Sequence, residues 1–346
     1  ESFNARRTAP HLLPDRDPLA GLAAAREAAA RLIGAAADEI ALTPNTSTGI
    51  NVAARALPLA AGDTVLLSDR EFPANVYPWL ALRQEGVGVE LTPVTAEGWP
   101  DEARLLERLR DPRVRVLAVS FVQFANGYRA DLAGLSAACR ANGTYLVVDG
   151  IQGLGNSPLD VHALHVDVLA TGGQKWLLSP WGSGFVYVRR DLISRMEPNA
   201  VGWMAFEGTD DYTNLVKYGD TLRADARRFE VGTIPFQDVL GMTTSLGLLG
   251  ELTVEAVGTY VRALADPLLE WAESRGVRVV SPLDEMHRSA IVCIAPDSAK
   301  EAHRHLKAAG VVCAFREGAI RFSPHCYNTI DEMEKVIEVL DEAISR

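Results

Sequence analysis

Seven short apolar runs punctuate the first 190 residues, at 39–43, 64–68, 87–91, 114–121, 145–148, 166–170 and 185–188. Several are apolar at consecutive positions rather than alternating, which requires burial on both faces of the strand. Helical stretches such as 47–56 and 132–141 lie between them. Strands joined through helices run parallel, and helices packed on both faces of the sheet supply the burial. The chain is therefore expected to contain an α/β domain around a mostly parallel seven-stranded sheet. An alanine-rich helix at 19–37, with Leu22, Ala25, Ala29, Leu32 and Ile33 at helical spacing, precedes it.

After about Gly250 the texture changes. A long helix is expected at 253–274, around Val254, Val257, Val261, Leu264, Leu268 and Leu269, with Pro267 a point for a kink. Shorter strands follow at 277–280, 290–294, 311–315 and 319–323, with helices at 299–309 and 330–344. This pattern reads as a small α+β C-terminal domain. The 346 residues thus divide into an N-terminal segment and helix (1–40), a large domain (41–250) and a small domain (251–346). The stretch 1–17, mixed in charge and rich in Pro and Arg, does not read as a domain start, and an upstream piece is expected to be missing.

The composition, 48% apolar and 23% charged, excludes a disordered or fibrous chain. With 34 Lys and Arg against 45 Asp and Glu the net charge is −11. No basic cluster is present, so nucleic acid is not an expected partner. No segment reads as a signal peptide or membrane span. The four cysteines are too scattered for a disulfide framework or a zinc site, and no metal is expected. A reducing cytoplasm fits.

In an open parallel sheet, ligands bind outside the carboxyl ends of the strands. After the first strand, Pro44-Asn45-Thr46-Ser47-Thr48-Gly49 opens a helix. Small hydroxyl residues there suit a phosphate at a helix N-terminus, although they serve equally as ordinary N-caps. Asp149 follows the fifth strand, with Gln152 three residues on, and Lys175 follows the sixth in Gly172-Gly173-Gln174-Lys175-Trp176. Alone, the Asp could cap a helix or hold a cation or a ribose, and the Lys could be a surface residue. Together a phosphate cradle, a strand-end Asp and a strand-end Lys are what pyridoxal 5′-phosphate requires. The lysine carries the aldehyde as a Schiff base, and the carboxylate keeps the pyridine nitrogen protonated.

These residues resemble the class V aminotransferases, fold-type-I pyridoxal-phosphate enzymes that include cysteine desulfurases, cystine lyases, kynureninase and isopenicillin N epimerase-like proteins. Six stretches carry the resemblance, in order: 45–51, 71–79, 148–152, 173–176, 229–233 and 320–329. It implies that Thr46 and Ser47 hold the phosphate, with Gln174 beside them. It places Asp149 on the pyridine nitrogen, Gln152 on the ring hydroxyl and Phe72 over the ring. Asn126 is a candidate contact to ring or substrate. Gly232-Thr233 would reach the phosphate from a second subunit, which implies a homodimer with shared sites. Arg321 would hold the α-carboxylate of an amino-acid substrate, as a planar bidentate guanidinium can. Members of the family usually carry an N-terminal segment that helps line the site, whereas this chain begins almost at the first helix.

The reaction is less legible. A persulfide-forming desulfurase needs a thiol on a mobile loop ahead of Arg321, yet only Arg316-Glu317-Gly318-Ala319-Ile320 separates Phe315 from it. Cys313 lies in an apolar run read as a strand, and Cys326 follows the arginine. The expected activity is an aminotransferase working on an amino acid through an external aldimine. A cysteine- or selenocysteine-type C–S lyase or an epimerase is the alternative.

Overall fold

The structure, a computed structural model, describes residues 5, 8, 9, 11 and 16–344; most of the stretch 1–17 lies outside them. The seven expected strands form one sheet: β1 (Ile40–Leu42), β2 (Thr64–Ser68), β3 (Gly88–Thr92), β4 (Val114–Ser120), β5 (Tyr145–Asp149), β6 (Val168–Gly172) and β7 (Gly184–Val188). Their order is β1-β7-β6-β5-β4-β2-β3. Strands β2 to β6 pair in parallel, and β7 runs antiparallel to both of its neighbours. Two reversals restore the original direction, so β1 points the same way as the parallel five. The carboxyl ends of six strands therefore share one edge.

Burial on both faces is written into consecutive residues. Leu117, Leu146, Leu169 and Phe185 pack into the core under α1 (Arg16–Ile33). Their neighbours Val116, Val147, Val168 and Val186 join Ile50 and Ala53 of α2 (Thr46–Ala56) on the opposite face. The short helices α3 (Tyr77–Ala81) and α4 (Glu102–Arg108), then α5 (Leu132–Asn142), complete the connections.

Helix α6 (Phe236–Leu252) is absent from the sequence reading. Its buried residues Val239, Met242, Leu246 and Leu249 keep helical spacing, but Gly241, Gly247, Gly250 and Thr243-Thr244-Ser245 have low helix propensity and mask it. Packing against α1 overrides that preference. Helix α7 (Val254–Ser274) runs continuously through Pro267.

A second sheet contains β8 (Arg278–Val279), β9 (Val292–Ala295), β10 (Ala314–Arg316) and β11 (Ala319–Phe322), all antiparallel, in the order β10-β11-β9-β8. A third core joins it to α7, α8 (Ala299–Ala308) and α9 (Ile330–Ile344) through Leu264, Leu268, Leu306, Met333 and Leu340. The apolar run at 311–315 is a strand only from Ala314. Val312 is fully exposed, Cys313 is half-buried, and the Cys313 carbonyl lies 3.3 Å from His303 Nε2. The turn after α8 takes up 309–310, and 311–313 are irregular chain leading into β10.

One buried ion pair ties the helical layer to the sheet. Arg26 on α1 donates to both oxygens of Glu230 at 2.9 and 2.6 Å, and the Leu42 backbone N–H donates to the same carboxylate at 2.9 Å. Removing one partner leaves a buried charge without its counterpart. Arg26→Met is expected to cost about 3–5 kcal/mol in urea unfolding, and Arg26→Met/Glu230→Leu distinctly less. Equal losses in the two variants would show that the pair itself contributes nothing.

Candidate active site

The shared edge of the sheet collects the residues singled out by sequence. Residues 43–46 follow β1, 69–72 follow β2 and 121–126 follow β4. Asp149 ends β5, and 173–175 follow β6. The ladder carries on past the strands: the Phe121 N–H donates to the Asp149 carbonyl and the Gly150 N–H to the Ala170 carbonyl, each at 2.9 Å. These bonds hold the loops close to the sheet.

At the head of α2 the N-cap is Asn45, whose Oδ1 accepts from the Thr48 N–H at 2.9 Å. Thr46 and Ser47 occupy the first helical turn, where backbone N–H groups have no intrahelical acceptor. The helix sits tightly on β6, because a Cβ on Gly49 would lie 2.6 Å from the Ala170 Cβ. Thr46 Oγ1 is buried with no partner among the described residues, and so is Gln174 Oε1. A hydroxyl donates to an anion directly, and an amide does so once its oxygen and nitrogen exchange places.

Asp149 is almost completely buried. Its Oδ1 accepts from the Ile151 N–H at 3.0 Å. Burial pushes its carboxyl up to about 7; the Ile151 N–H opposes the rise, the Glu71 charge adds to it and Lys175 opposes it. Burial lowers the Lys175 ammonium, Asp149 counteracts that, and Arg321 and Arg316 reinforce it. A buried carboxylate short of positive charge suits a protonated ring nitrogen. Phe72, 41% exposed, turns its ring toward the site with Lys175 Nζ 5.5 Å from the centroid, and Phe124 meets its edge at 5.2 Å.

Gln152 Oε1 accepts from Trp176 Nε1–H at 3.2 Å. Indole nitrogen is a donor only, so this contact fixes the amide orientation. The Gln152 amino end makes no hydrogen bond among the described residues and is free to donate. Asn126 is placed differently: it donates to the Gly98 carbonyl at 2.9 Å and accepts from the Tyr128 N–H at 3.0 Å, so both ends of its amide brace the loop after β4. Thr233 lies exposed in the loop before α6, and its side chain makes no hydrogen bond among the described residues.

Arg321 arrives from β11 and crosses between the two sheets, Nη1 donating to the Phe124 carbonyl at 2.6 Å. Its Nε is buried without a partner, and no carboxylate pairs with it among the described residues. A buried, unpaired guanidinium is costly and is suited to receive an anion. No cluster of three or more His, Cys, Asp or Glu side chains is placed to hold a metal, and no helix is long and apolar enough to cross a membrane, both among the described residues.

Two anchors carry no role in the sequence reading although both fall in quoted motifs. Glu71 is buried and accepts from the Ser120 N–H (3.0 Å), Ser120 Oγ (2.5 Å), Gln123 Nε2 (2.6 Å) and Asn75 Nδ2 (3.2 Å), pinning the turn that presents Phe72. His325 stacks on the Trp176 ring at 5.1 Å with its Nε2 3.1 Å from the Trp176 carbonyl, while its Nδ1 accepts from the Cys326 N–H at 2.8 Å. The imidazole thereby clamps the residue beside Lys175, and Trp176 passes that restraint to Gln152. Polar residues inside apolar motifs were the available signal.

Because the folded Asp149 carboxyl titrates above its unfolded value, its contribution to stability is full below about pH 4 and is lost as pH rises through about 7. With cofactor removed, the protein is expected to gain stability as pH falls from about 8 to about 5. Asp149→Asn should flatten that slope in thermal melts. An unchanged slope would remove Asp149 as a source.

The sequence profile of the family described as Aminotransferase class-V matches residues 17–336. An uncharacterized aminotransferase, YcbU, of Bacillus subtilis (strain 168) is 30% identical over 316 residues, covering 91% of this chain and 81% of that protein. Cysteine desulfurase CsdA of Escherichia coli (strain K12) is 30% identical over 339 residues, covering 93% and 82%. Among solved structures, a cystine C–S lyase, C-DES, in complex with its reaction product cysteine persulfide, superposes with a TM-score of 0.85 at 23% identity over 95% of this chain and 88% of that one, a likeness of fold. The chain belongs to the class V aminotransferase family, the pyridoxal-phosphate enzymes of fold type I.

Proposed function

We propose that this protein is an aminotransferase that acts at Cα of an α-amino acid, with Lys175 as the proton carrier. The observation that carries the reading is the position of Lys175, just past the end of β6 beside Asp149 at the end of β5, with its Nζ 5.5 Å from the Phe72 ring centroid. Bound there, pyridoxal 5′-phosphate supplies an electron-accepting ring conjugated to the substrate's Cα.

The chain's own groups do the rest. Thr46, Ser47 and Gln174 hold the phosphate at the positive end of α2. Asp149 would face the ring nitrogen, Gln152 would donate to the ring hydroxyl, and Phe72 would cover a ring face without a titrating proton of its own. Asn126 supports the loop beneath. Arg321 grips the α-carboxylate and orients the Cα–H bond. Lys175 Nζ would hold the cofactor covalently and be free for proton transfer when a substrate amine takes its place. Nζ then takes the Cα proton and redelivers it, and burial favours the neutral amine that this step requires. Thr233, exposed on its loop, completes the phosphate site of a second copy, so a homodimer with shared sites belongs to the proposal.

C–S bond cleavage of a cysteine-type substrate is the second reading, supported by the similarity to CsdA. It would proceed without an enzyme thiol. Only Glu317 and Gly318, both at positive φ, join β10 to β11 as a two-residue hairpin turn. No loop there can carry a cysteine into the cleft. Cys326 Sγ lies 3.1 Å from His325 Nδ1, and burial raises its thiol pKa.

Lys175→Ala is expected to abolish the visible absorbance of the cofactor-loaded protein and at least about 10³-fold of turnover. A wild-type protein that stays colourless with added pyridoxal phosphate would overturn the reading. Arg321→Ala should raise KM for amino acids about 10–100-fold while cofactor binding persists; an unchanged KM would unseat the carboxylate assignment. Product analysis separates the two reactions. Amine transfer that requires a keto-acid acceptor supports transamination, and acceptor-independent sulfide release from cysteine supports elimination.

A further inference from the structure

We infer that Arg316 forms, with Arg321, a two-anion clamp that selects amino acids with an acidic side chain. The inference deepens the function proposed above and rests on its placement of Lys175 and Arg321.

The hairpin register is the first observation. Ala314 faces Arg321 and Arg316 faces Ala319 across β10 and β11. Directly opposed residues share a face, as do residues two apart, so Arg316 and Arg321 project from the same side of the sheet. The residues opposite them on that side are the small Ala314, half-buried, and Ala319, buried. Diagonal neighbours of this kind start about 7–8 Å apart, and side chains as long as arginine can close on two anions of one small molecule.

The second observation is the missing counter-charge. The chain has 45 acidic against 34 basic side chains, yet neither arginine has a carboxylate partner among the described residues. Arg316 donates only to the neighbouring Phe315 carbonyl at 2.9 Å, although Glu317 follows it in the turn. Arg321 donates to the Phe124 carbonyl and keeps a buried, unpartnered Nε. Two like charges on one face disfavour each other, and an anion bound between them relieves that repulsion. The charges acting on Lys175 agree: one carboxylate, Asp149, and two guanidiniums, Arg321 and Arg316. A neutral amino acid brings one anion to this face. An amino acid with a side-chain carboxylate, or a sulfur oxyacid in the same place, brings two.

The α-carboxylate belongs to Arg321, which is the more buried of the two. The side-chain anion then falls to Arg316, which is exposed and close enough to Lys175 for its charge to act on that amine. Phosphate recognition is provided elsewhere, at the head of α2.

The test compares acidic amino acids with their neutral isosteres, aspartate against asparagine and glutamate against glutamine, on cofactor-loaded protein. The readouts are kcat/KM and the absorbance change on substrate binding. Wild type should favour the acidic member of each pair about 10–100-fold. Arg316→Gln should erase most of that ratio, and Arg316→Lys should restore part of it. Equal use of acidic and neutral partners by wild type overturns the inference, as does a ratio that Arg316→Gln leaves unchanged. Weaker cofactor binding in Arg316→Gln, with the ratio intact, overturns it in favour of a phosphate contact. Wild-type protein that takes no cofactor overturns this inference and the function beneath it together. Protein that takes cofactor and turns over acidic and neutral substrates alike overturns this one alone.

Discussion

Keeping the carboxylate of Asp149 out of water is the constraint around which this fold is arranged. An isolated buried carboxylate is disfavoured strongly enough to move its titration up by several units, and here the protein supplies only one backbone N–H and the nearby Lys175 as compensation. Three parallel strands are needed to hold it there. β4 and β6 flank β5 and bury the end of that strand, and the ladder runs on through Phe121 and Gly150. The remaining cost is relieved by a proton, as the raised titration shows, or by a cationic group at the sheet edge. Glu71 makes the need more acute, since its charge acts on Asp149 in the same direction as burial.

The other side chains of the site are aimed by neighbours that take no part in the chemistry. Glu71 gathers four donors and so fixes the turn under Phe72. His325 reaches over from the segment after β11 to clamp Trp176, and Trp176 in turn orients Gln152. The site is thereby built across two sheets. Arg321 belongs to the four-stranded sheet but bonds to a carbonyl in the loop after β4, and Trp99 donates to the Val280 carbonyl at 2.8 Å across the same boundary. A shift of the second sheet would move Arg321 and release the clamp beside Lys175 together. Substrate-driven movement of that sheet would therefore couple binding to the alignment of the lysine.

Much of this was legible in the sequence because it depends on local pattern. Non-alternating apolar runs announce strands buried twice, and the polar residue after each strand then falls on the ligand edge regardless of detail. Thr46, Asp149, Gln152 and Lys175 were reachable by that rule alone. Asn126 and Thr233 were named from a motif; the Gly98 carbonyl, 28 residues away, and the nearby Tyr128 N–H brace the first, and the second stands on an exposed loop. Helix α6 escaped because its glycines and threonines argue locally against a helix, while its stability comes from packing on α1. The residues at 311–313 look like a strand by composition but are irregular chain between the turn after α8 and β10.

By itself the sequence determined the class of fold and which polar residues fall at the strand termini, since these follow from periodicity and local residue type. Tertiary structure alone decided which charges go unpaired. Whether a given arginine meets a carboxylate depends on contacts between residues nearly two hundred positions apart, as Arg321 and Phe124 are. It depends as well on a hairpin register that sets Arg316 and Arg321 on one face. No local pattern encodes such pairings, because their energy comes from desolvation and geometry that exist only once the chain has closed on itself.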